Sequence, residues 1–312
     1  MIIIKDIEKL NLPMLTATIG FFDGVHVGHR FLIEELKREA RLRNLPSAVI
    51  TFPEHPRAVL HADYQPKLLN SLAEKMAQLA TTGVDYCILL PFTEALSKLS
   101  AQQFIQTILR EQLHVSSLLI GYDHRFGHNR ADGFEQYVSY AAACSMEVIQ
   151  AAVYPTTTIH ASSSEVRKLI LESNIKAANE LLTYSYSLTG SVTEGHKVGR
   201  TIGFPTANIH QIDPHKIIPP IGVYAVQVQV EEQLHNGMLY IGNRPTLDDG
   251  EHITIEVNIF DFNQDIYNKT ITVYFKEFIR GNMKLPNLTE LKKQLAADLE
   301  TSKQILSTLN KQ

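Results

Sequence analysis

The stretch Gly20-Phe-Phe-Asp-Gly-Val-His-Val-Gly-His29 decides how the first half of this chain folds. It follows an apolar run, Met14 to Ile19, which predicts a buried strand. It precedes residues 30 to 43, where apolar side chains recur at the spacing of an amphipathic helix. Glycines in such a loop let a ligand approach the backbone closely. Together, the strand, the loop and the helix start predict a site for the phosphates of a nucleotide.

Two imidazoles, those of His26 and His29, lie at the predicted start of this helix, with Gly28 between them. Imidazole N–H groups can donate hydrogen bonds to a phosphate whose charge grows as a phosphoanhydride bond is exchanged. Because most histidines in proteins are surface or packing residues, the surrounding strand, loop and helix carry this prediction. A His-x-Gly-His motif in that setting is typical of nucleotidyltransferases.

The composition is that of an ordinary globular protein, and 312 residues are enough for two domains. A net charge of −4 argues against nucleic acid and membrane surfaces as partners, because both favour basic patches. The two cysteines, Cys87 and Cys144, lack the spacing of metal ligands and indicate a reducing compartment. We find no signal peptide and no apolar run of membrane length, and we expect a cytoplasmic protein.

Short apolar runs alternate with helical patterns as far as residue 153. Such runs favour a doubly wound α/β fold with a parallel sheet, in which ligands bind where the strand order reverses. Two helices begin at predicted capping boxes, Ser71 with Glu74 and Ser100 with Gln103. The predicted strands after the first are 48–52, 85–90, 117–121 and 147–153, and the helices between them are 71–81, 101–113 and 134–144.

The hydrophobic period changes to two near Tyr186, after a helical pattern over 164–182 that we assign to the end of the first domain. Alternation over 223–230, followed by the turn signal His235-Asn-Gly237, predicts a hairpin. The whole region predicts a small antiparallel β-barrel of five or six strands. An amphipathic helix over 288–309 follows. We therefore predict two domains, 1–185 and 186–312.

Further polar clusters occur in the first half. His55 and Pro56 follow the second predicted strand, where a proline-stiffened loop is the competing interpretation. The segment Gly121-Tyr-Asp-His-Arg-Phe-Gly127 combines a carboxylate, a guanidinium and an aromatic ring, which can hold a phosphate and stack on a flat ring. Ser162 to Arg167 opens a helix with hydroxyls and an early arginine, which suits either helix capping or a triphosphate.

The second half contains a glycine-rich basic run, Gly195 to Gly203, that is typical of a phosphate-binding backbone nest. Thr206 and Asn208 lie two residues apart, so in an extended segment both oxygens face the same side. Such hard oxygen ligands suit Mg²⁺. Glu256 interrupts an apolar strand, and from spacing alone an outward-facing residue of an alternating strand is the slightly favoured interpretation.

Taken in order, these clusters resemble the bacterial bifunctional riboflavin kinase/FMN adenylyltransferases, also called FAD synthetases. The resemblance covers essentially the whole chain and is carried by GFFDGVHVGH, GHKVGRTIGFPTANI, GVYAV, IGNRPT and FDFNQDIY. It implies an HxGH nucleotidyltransferase-like FMN adenylyltransferase domain followed by a riboflavin kinase barrel. It also implies ATP as co-substrate, Mg²⁺ as cofactor, and riboflavin, FMN and FAD as substrates and products.

The resemblance implies a role for each matching residue. The catalytic residues are His26, His29 and Glu256, with Glu256 as general base. In the adenylyltransferase, ATP and its phosphates would bind Gly20, Phe21, Asp23, Gly24, Gly28, Ser163, Ser164 and Arg167, and the flavin would bind His55, Pro56, Asp123, Arg125 and Phe126. In the kinase, ATP would bind Gly195, Lys197, Gly199, Arg200, Gly203, Thr206 and Asn208, and the last two would also hold Mg²⁺.

The sequence departs from the family pattern at several positions. Glu54 replaces a proline, His124 a phenylalanine and Ser164 a threonine, while Asn258 stands where histidine or an aromatic residue is common. Residues 280–285 lack the usual acidic residue and phenylalanine. Three alternatives stay open: a monofunctional FMN adenylyltransferase with a degenerate kinase, a nucleotidyltransferase for another phosphate such as nicotinamide mononucleotide, and a non-catalytic flavin-binding regulator. We expect a monomer or a transient oligomer.

Overall fold

The computed structural model describes residues 1–7, 12–61, 63–122, 124–128, 131–154, 161–194, 203–245 and 251–309. The contacts divide the chain into two compact units, Met1–Ser162 and Ser163–Gln312. The boundary that we predict near residue 185 rests on the change of hydrophobic period, a different criterion, and it stays a prediction.

The first unit is built on a parallel sheet of six strands. The strands are β1 (Ile2–Ile4), β2 (Leu15–Ile19), β3 (Ser47–Thr51), β4 (Tyr86–Leu89), β5 (Val115–Ile120) and β6 (Glu147–Gln150). Their order in the sheet is β1-β4-β3-β2-β5-β6. The chain therefore leaves β2 toward β3 and β4 on one side and returns to β5 on the other. This reversal places the loop that follows β2 at the position where open α/β sheets bind ligands.

Helices cover both faces of this sheet, which confirms the predicted α/β architecture. They are α1 (Val27–Leu42), α2 (Pro56–Leu60), α3 (Leu72–Ala80), α4 (Glu94–Ser97), α5 (Ala101–Gln103) and α6 (Phe134–Ala142). A π-helical segment, Phe104–Gln112, continues α5. Both predicted capping boxes form: Ser71 and Glu74 satisfy each other's backbone N–H groups, as do Ser100 and Gln103.

Alternate residues of the strands β3, β4 and β5 point into two separate apolar clusters. In β3, Ala48 and Ile50 join the cluster on one face, and Val49 joins the cluster on the other, with Ile33 and Leu36 of α1. Both faces of the central strands are buried, so their residues are apolar or carry a small hydroxyl side chain, as at Thr16, Thr18 and Ser117. The loops at the strand ends are therefore the places where polar groups of this unit can meet a ligand.

The second unit is a closed antiparallel barrel of six strands, as predicted. The strands are β7 (Ser187–Thr193), β8 (Ala207–His210), β9 (Gly222–Val230), β10 (Gln233–Pro245), β11 (Glu251–Ile259) and β12 (Thr270–Arg280), and the helices are α7 (Ser163–Leu171), α8 (Ile175–Leu182) and α9 (Leu288–Leu309). The order around the barrel is β10-β11-β8-β7-β12-β9. The predicted bounds of the C-terminal helix α9 are confirmed.

The predicted hairpin turn at His235-Asn-Gly237 is wrong. Val230 pairs with Gln233, so the chain turns at residues 231 and 232, and Glu231 has a positive φ of 52°. Gly237 instead lies inside β10, where a Cβ atom would come within 2.8 Å of the Asn258 carbonyl oxygen. This glycine therefore marks a close approach of two strands, a use of glycine that resembles a turn signal in sequence.

The helical pattern over 164–182 forms two helices, α7 and α8, with Asn174 as the N-cap of α8. The Asn179 side chain of α8 donates to the Phe275 carbonyl oxygen (2.9 Å) and accepts from the Tyr186 amide (2.7 Å). These bonds fasten α8 to both β12 and the start of β7. The two helices accordingly belong to the same compact unit as the barrel.

The C-terminal helix is fastened to the barrel by a buried ion pair. Asp298 of α9 is only 2% exposed and accepts from Nε of Arg280 (Oδ1, 2.9 Å) and from its Nη2 (Oδ2, 2.7 Å). Gln294 donates a further hydrogen bond to Oδ1 of Asp298 (2.9 Å). Paired nitrogens on paired oxygens are the strong geometry for this interaction. The end of β12 and the middle of α9 are thereby held together.

Candidate active sites

The loop that follows β2 has a strained backbone. Phe22, Gly24 and Val25 all have positive φ angles, of 55°, 83° and 39°. A β-branched residue such as valine rarely adopts this conformation, and full burial of the Val25 side chain holds it there. Strain of this kind is concentrated at functional sites. Here it turns the chain sharply from the end of β2 into α1.

The N-terminus of α1 is suited to an anion. His26 occupies the N-cap position, and its side chain makes no capping hydrogen bond to the helix. The first turn contains no acidic residue. The first backbone N–H groups of a helix lack carbonyl partners inside the helix, and the helix dipole favours negative charge at this end. These are the properties that the predicted phosphate site requires.

The structure brings the two predicted catalytic histidines together as a stacked pair. The ring centroids of His26 and His29 lie 3.8 Å apart, with 21° between the ring planes. A Cβ atom on Gly28 would lie 3.3 Å from two atoms of the His26 ring, so glycine at this position leaves room for the pair. Close stacking of two imidazoles disfavours a positive charge on both rings.

Burial is the main reason why the pKa of His29 lies well below its usual value of 6.5, and electrostatic interactions with His26 and Lys75 lower it further. The Nδ1 atom of His29 is buried and has no hydrogen-bond partner among the described residues. The His29 imidazole is thus neutral at pH 7. A neutral imidazole presents one N–H donor and one acceptor nitrogen to whatever occupies the site.

Asp23, in the same loop, is buried and is bound by backbone amides. Its carboxylate accepts hydrogen bonds from the Leu69 amide (3.0 and 3.1 Å) and from the Asn70 amide (3.2 Å). These bonds join the Asp23 loop to the segment before α3, and the ATP contact that the family pattern implies for Asp23 stays a prediction.

A second group of predicted residues lies at the carboxyl end of β3. His55 is the N-cap of α2, where its Nδ1 accepts from the Arg57 amide (3.2 Å), and Pro56 is the first residue of that helix. The His55 ring contacts Phe21 edge to face (4.7 Å between centroids) and lies 5.4 Å from Tyr64. Aromatic edges and faces of this kind can pack against a flat ring.

Phe126 is less available for stacking than its sequence context indicates. Its ring is stacked on Tyr137, with centroids 4.2 Å apart and 11° between planes, and its amide donates to the Tyr137 hydroxyl (3.0 Å). One face of the Phe126 ring is therefore covered by the protein itself. Arg125, next to it, is exposed.

Other predicted residues lie at the start of α7, at Gly203 or outside the described residues. Ser163, Ser164 and Arg167 lie in the first turns of α7, in the second unit. Gly203 has a positive φ of 87° and is exposed. Outside the described residues lie Asp123, Gly195, Lys197, Gly199 and Arg200.

In the barrel, Glu256 of β11 lies between two strands, opposite Asn208 of β8 and Tyr240 of β10. The Thr206 hydroxyl donates a hydrogen bond to Oε2 of Glu256 (3.1 Å). Asn258 donates from its side-chain amide to the Pro205 carbonyl oxygen (2.6 Å). The strand that carries Glu256 therefore also positions the Pro205–Thr206 segment. Thr206 is exposed, whereas Asn208 is buried.

Tyr240 is a neighbour of Glu256 that the sequence reasoning missed. Burial raises the pKa of the Tyr240 phenol, the Glu256 carboxylate raises it further, and the Arg280 guanidinium opposes the shift. The hydroxyl donates to Oδ1 of Asn282 (3.3 Å). Only the strand register brings Tyr240 to Glu256, because 16 residues separate them in the chain.

A cleft of about 460 Å³ opens beside Thr206, the residue that binds Glu256, and no sequence motif predicts it. One wall contains Thr206, and the other is formed by residues 262–267 of the FDFNQDIY motif, in which no site residue is predicted. The lining residues are Val192, Pro205, Thr206, Ala207, Val257, Ile259, Phe262, Asn263, Gln264, Asp265, Ile266 and Tyr267.

Comparison with known families also finds two parts in this chain. Residues 9–165 match the FAD synthetase family, and residues 182–306 match the riboflavin kinase family. A bifunctional riboflavin kinase/FMN adenylyltransferase from Listeria monocytogenes is 36% identical over 292 residues, which is 93% of this chain and 92% of the relative. This chain belongs to the bifunctional riboflavin kinase/FMN adenylyltransferase family.

Other members and a solved structure extend the comparison. The Escherichia coli K12 family member is 36% identical over 92% of this chain and 91% of its own length. A crystal structure of a Streptococcus pneumoniae protein, named as a macrolide-efflux protein, is 33% identical and has a TM-score of 0.87, with 97% of this chain and 99% of that chain covered. That name belongs to the pneumococcal protein. Within the described residues, no helix is both long and apolar enough to cross a membrane.

Proposed function

We propose that this chain makes FAD from riboflavin in two ATP-dependent steps. The kinase step forms FMN in the barrel, and the adenylyltransferase step joins FMN to AMP in the first unit. The observation that carries the proposal is the presence of two distinct chemical centres in two separate units. One is the stacked His26–His29 pair at the start of α1, and the other is the Glu256–Thr206 pair beside the barrel cleft.

In the kinase step, Glu256 accepts the proton of the riboflavin 5′-hydroxyl as that oxygen attacks the γ-phosphate of ATP. The cleft between Thr206 and the 262–267 loop is the proposed place for the nucleotide. Hydroxyl, amide and carboxylate oxygens fit Mg²⁺, so Thr206 and Asn208 are the proposed ligands next to Glu256. When bound, Mg²⁺ offsets the negative charge on the phosphates during phosphoryl transfer.

In the adenylyltransferase step, the FMN phosphate attacks the α-phosphate of a second ATP and releases pyrophosphate. A phosphate monoester is largely ionised at neutral pH, with a second pKa of about 6, so no strong general base is needed. The site must instead position the reactants and stabilise developing charge. His26, His29 and the N–H groups of α1 are proposed for that task. Ser163, Ser164 and Arg167, which the family pattern assigns to the ATP phosphates, stay predictions from the sequence. His55, Pro56, Asp123, Arg125 and Phe126 remain proposed flavin contacts.

The test is incubation of the purified protein with riboflavin, ATP and Mg²⁺, followed by chromatographic separation of riboflavin, FMN and FAD. We expect both products. His29→Ala should slow FAD formation from FMN by about 10²–10³-fold and leave FMN formation unchanged, because a charge-stabilising donor is lost in one site only. Glu256→Gln should slow FMN formation by about 10²–10⁴-fold and leave FAD formation from FMN unchanged.

The alternatives give different results in the same assay. FAD formation from added FMN, with no phosphorylation of riboflavin, would identify a monofunctional adenylyltransferase. Flavin binding without turnover of either substrate would identify a regulator. Equal loss of both activities in His29→Ala would contradict two separate sites. The cytoplasmic location and the monomeric or transiently oligomeric state stay predictions.

A further inference from the structure

Lys75 of α3 is a buried cation that none of the roles above uses. Its side chain is part of a residue only 3% exposed. Its Nζ atom donates to the carbonyl oxygens of Phe52 (2.8 Å) and Phe21 (3.1 Å) and lies 3.4 Å from the Thr51 hydroxyl. Phe21 belongs to the loop after β2, whereas Thr51 and Phe52 belong to the end of β3. One ammonium group therefore joins two strand-end loops.

The ammonium form is the one that suits this environment. An ammonium group has three N–H donors, and three oxygen acceptors surround this one. It also lies 4.1 Å from the centroid of the Phe21 ring, at the distance of a cation–π contact. A charge this deeply buried is costly to a folded protein unless it is compensated. Its contacts are all directed to the loops that carry the predicted adenylyltransferase residues.

A second contact also holds the loop between β2 and α1 to the start of α3. The Asp23 carboxylate binds the Leu69 and Asn70 amides just before α3 begins. Lys75, one turn inside α3, binds the Phe21 carbonyl oxygen two residues before Asp23. The strained loop between β2 and α1 is thus held at two points by one segment of chain.

We propose that Lys75 is a positioning residue for the adenylyl transfer, holding the loop that leads into His26 and His29 at a set distance from the loop that carries His55. This inference rests on the proposed adenylyltransferase activity. The His26 and His29 loop would face the ATP phosphates, and the His55 loop would face the flavin. Because reacting groups must be aligned within about an ångström, a loosened link between the two loops should lower the rate.

The charge of Lys75 has a further effect that packing alone lacks. It lowers the pKa of His29, together with burial and His26. Burial lowers the pKa of Lys75 itself to about 8, against the opposing effects of Asp23 and Cys87. Loss of the Lys75 charge should therefore raise the pKa of His29. In the wild-type protein, Lys75 should lose its proton above about pH 8 and with it one of its three donors.

The experiment compares Lys75→Met, which keeps the length of the stem without the charge, with Lys75→Arg, which keeps the charge. Lys37→Met is the matched control, because Lys37 also donates to a backbone carbonyl oxygen of this unit (Thr82, 2.7 Å) but lies away from the carboxyl ends of the strands. The rate of FAD formation from FMN and ATP is measured from pH 5.5 to 10. Riboflavin phosphorylation by the same samples reports the activity of the barrel, and circular dichroism reports folding.

We expect Lys75→Met to slow FAD formation by about 10–10²-fold. The acid limb of its pH profile, where the rate falls as the pH is lowered, should shift to higher pH. Lys75→Arg should keep the acid limb and lose the decline above pH 8, and Lys37→Met should match the wild type. A wild-type rate in Lys75→Met would overturn the inference, as would a slower rate with an unshifted acid limb. If Lys75→Met does not fold, a decline above pH 8 that persists in Lys75→Arg would overturn it. Absence of FAD formation in the wild type would instead overturn the proposed function.

Discussion

At the scale of single residues, the protein combines neutral histidine with buried charge at one end of a sheet. The His26–His29 stack is tolerated because burial and neighbouring charges keep His29 unprotonated at pH 7. Lys75 and Asp23 supply the nearby charges, and each is satisfied by backbone groups. The lowered pKa of His29 should make the free energy of unfolding depend on pH.

The first prediction concerns that dependence. The pKa of His29 is lower in the folded protein than in the unfolded chain, so below about pH 6.5 the unfolded chain binds more protons. The free energy of unfolding should therefore fall as the pH falls below 6.5. His29→Gln should show a smaller fall in urea unfolding between pH 7.5 and pH 5.5. Parallel pH profiles for the variant and the wild type would contradict this.

The second prediction concerns Asn258, which departs from the family pattern. Its amide holds the Pro205 carbonyl oxygen, next to the threonine that binds Glu256. Asn258→Ala should misplace Thr206 and slow riboflavin phosphorylation by about 10–10²-fold. FAD formation from FMN by the same sample is the internal control and should be unchanged. Wild-type phosphorylation by Asn258→Ala would show that the Pro205 contact is dispensable.

At the scale of elements, the attachment of α9 to the barrel depends on a buried charge pair. Amphipathic periodicity predicts that α9 packs against the sheet, and it does contact β9, β10 and β12. Periodicity specifies an apolar face but leaves the position of the helix along that face undetermined. The Arg280–Asp298 pair supplies a directional contact that selects one position.

The third prediction tests this pair. Asp298→Asn should leave the Arg280 guanidinium without its counter-charge and lower the free energy of unfolding by about 3–5 kcal/mol. Glu290→Gln is the matched control on the same helix, since the Glu290–Lys293 pair is exposed and should contribute less than about 1 kcal/mol. Urea unfolding of both variants measures the difference. Equal, small effects would show that the buried pair adds little to stability.

At the scale of the whole molecule, two separate units carry the two proposed reactions. The change of hydrophobic period and the contacts divide the chain at different places, because the helices α7 and α8 lie between the two positions. Asn179 connects α8 to the barrel through the Phe275 carbonyl oxygen and the Tyr186 amide. A fragment that begins after α8 loses both bonds.

The fourth prediction compares two fragments. Residues 163–312 and residues 186–312 should both fold, because the barrel and α9 have their own apolar core. The longer fragment should have the higher unfolding temperature, since it keeps α8 and the Asn179 bonds. Both should bind flavin with ADP and Mg²⁺, measured by fluorescence. An insoluble 186–312 fragment would contradict the boundary near residue 185, and equal stability of the two would contradict the role of Asn179.

The sequence by itself determined most of the fold. Continuous apolar runs, capping boxes and the change of period identified the parallel sheet, the barrel and the bounds of α9, because these signals depend on neighbouring residues only. The motifs also identified His26, His29 and Glu256 as candidates for chemistry. The resemblance to a family was needed to give Glu256 a role, since its spacing alone favoured an exposed strand position.

Only the tertiary structure decided which side chains meet. It shows that Gly237 lies at a close contact between two strands and not in a turn. It also places Tyr240 opposite Glu256. Asp23 and Lys75 are buried against backbone groups from distant segments. Strand register and the packing of α3 bring these groups together across tens of residues. The physical reason is that local patterns specify which face of an element is apolar, whereas register and burial depend on contacts between elements that no local pattern contains.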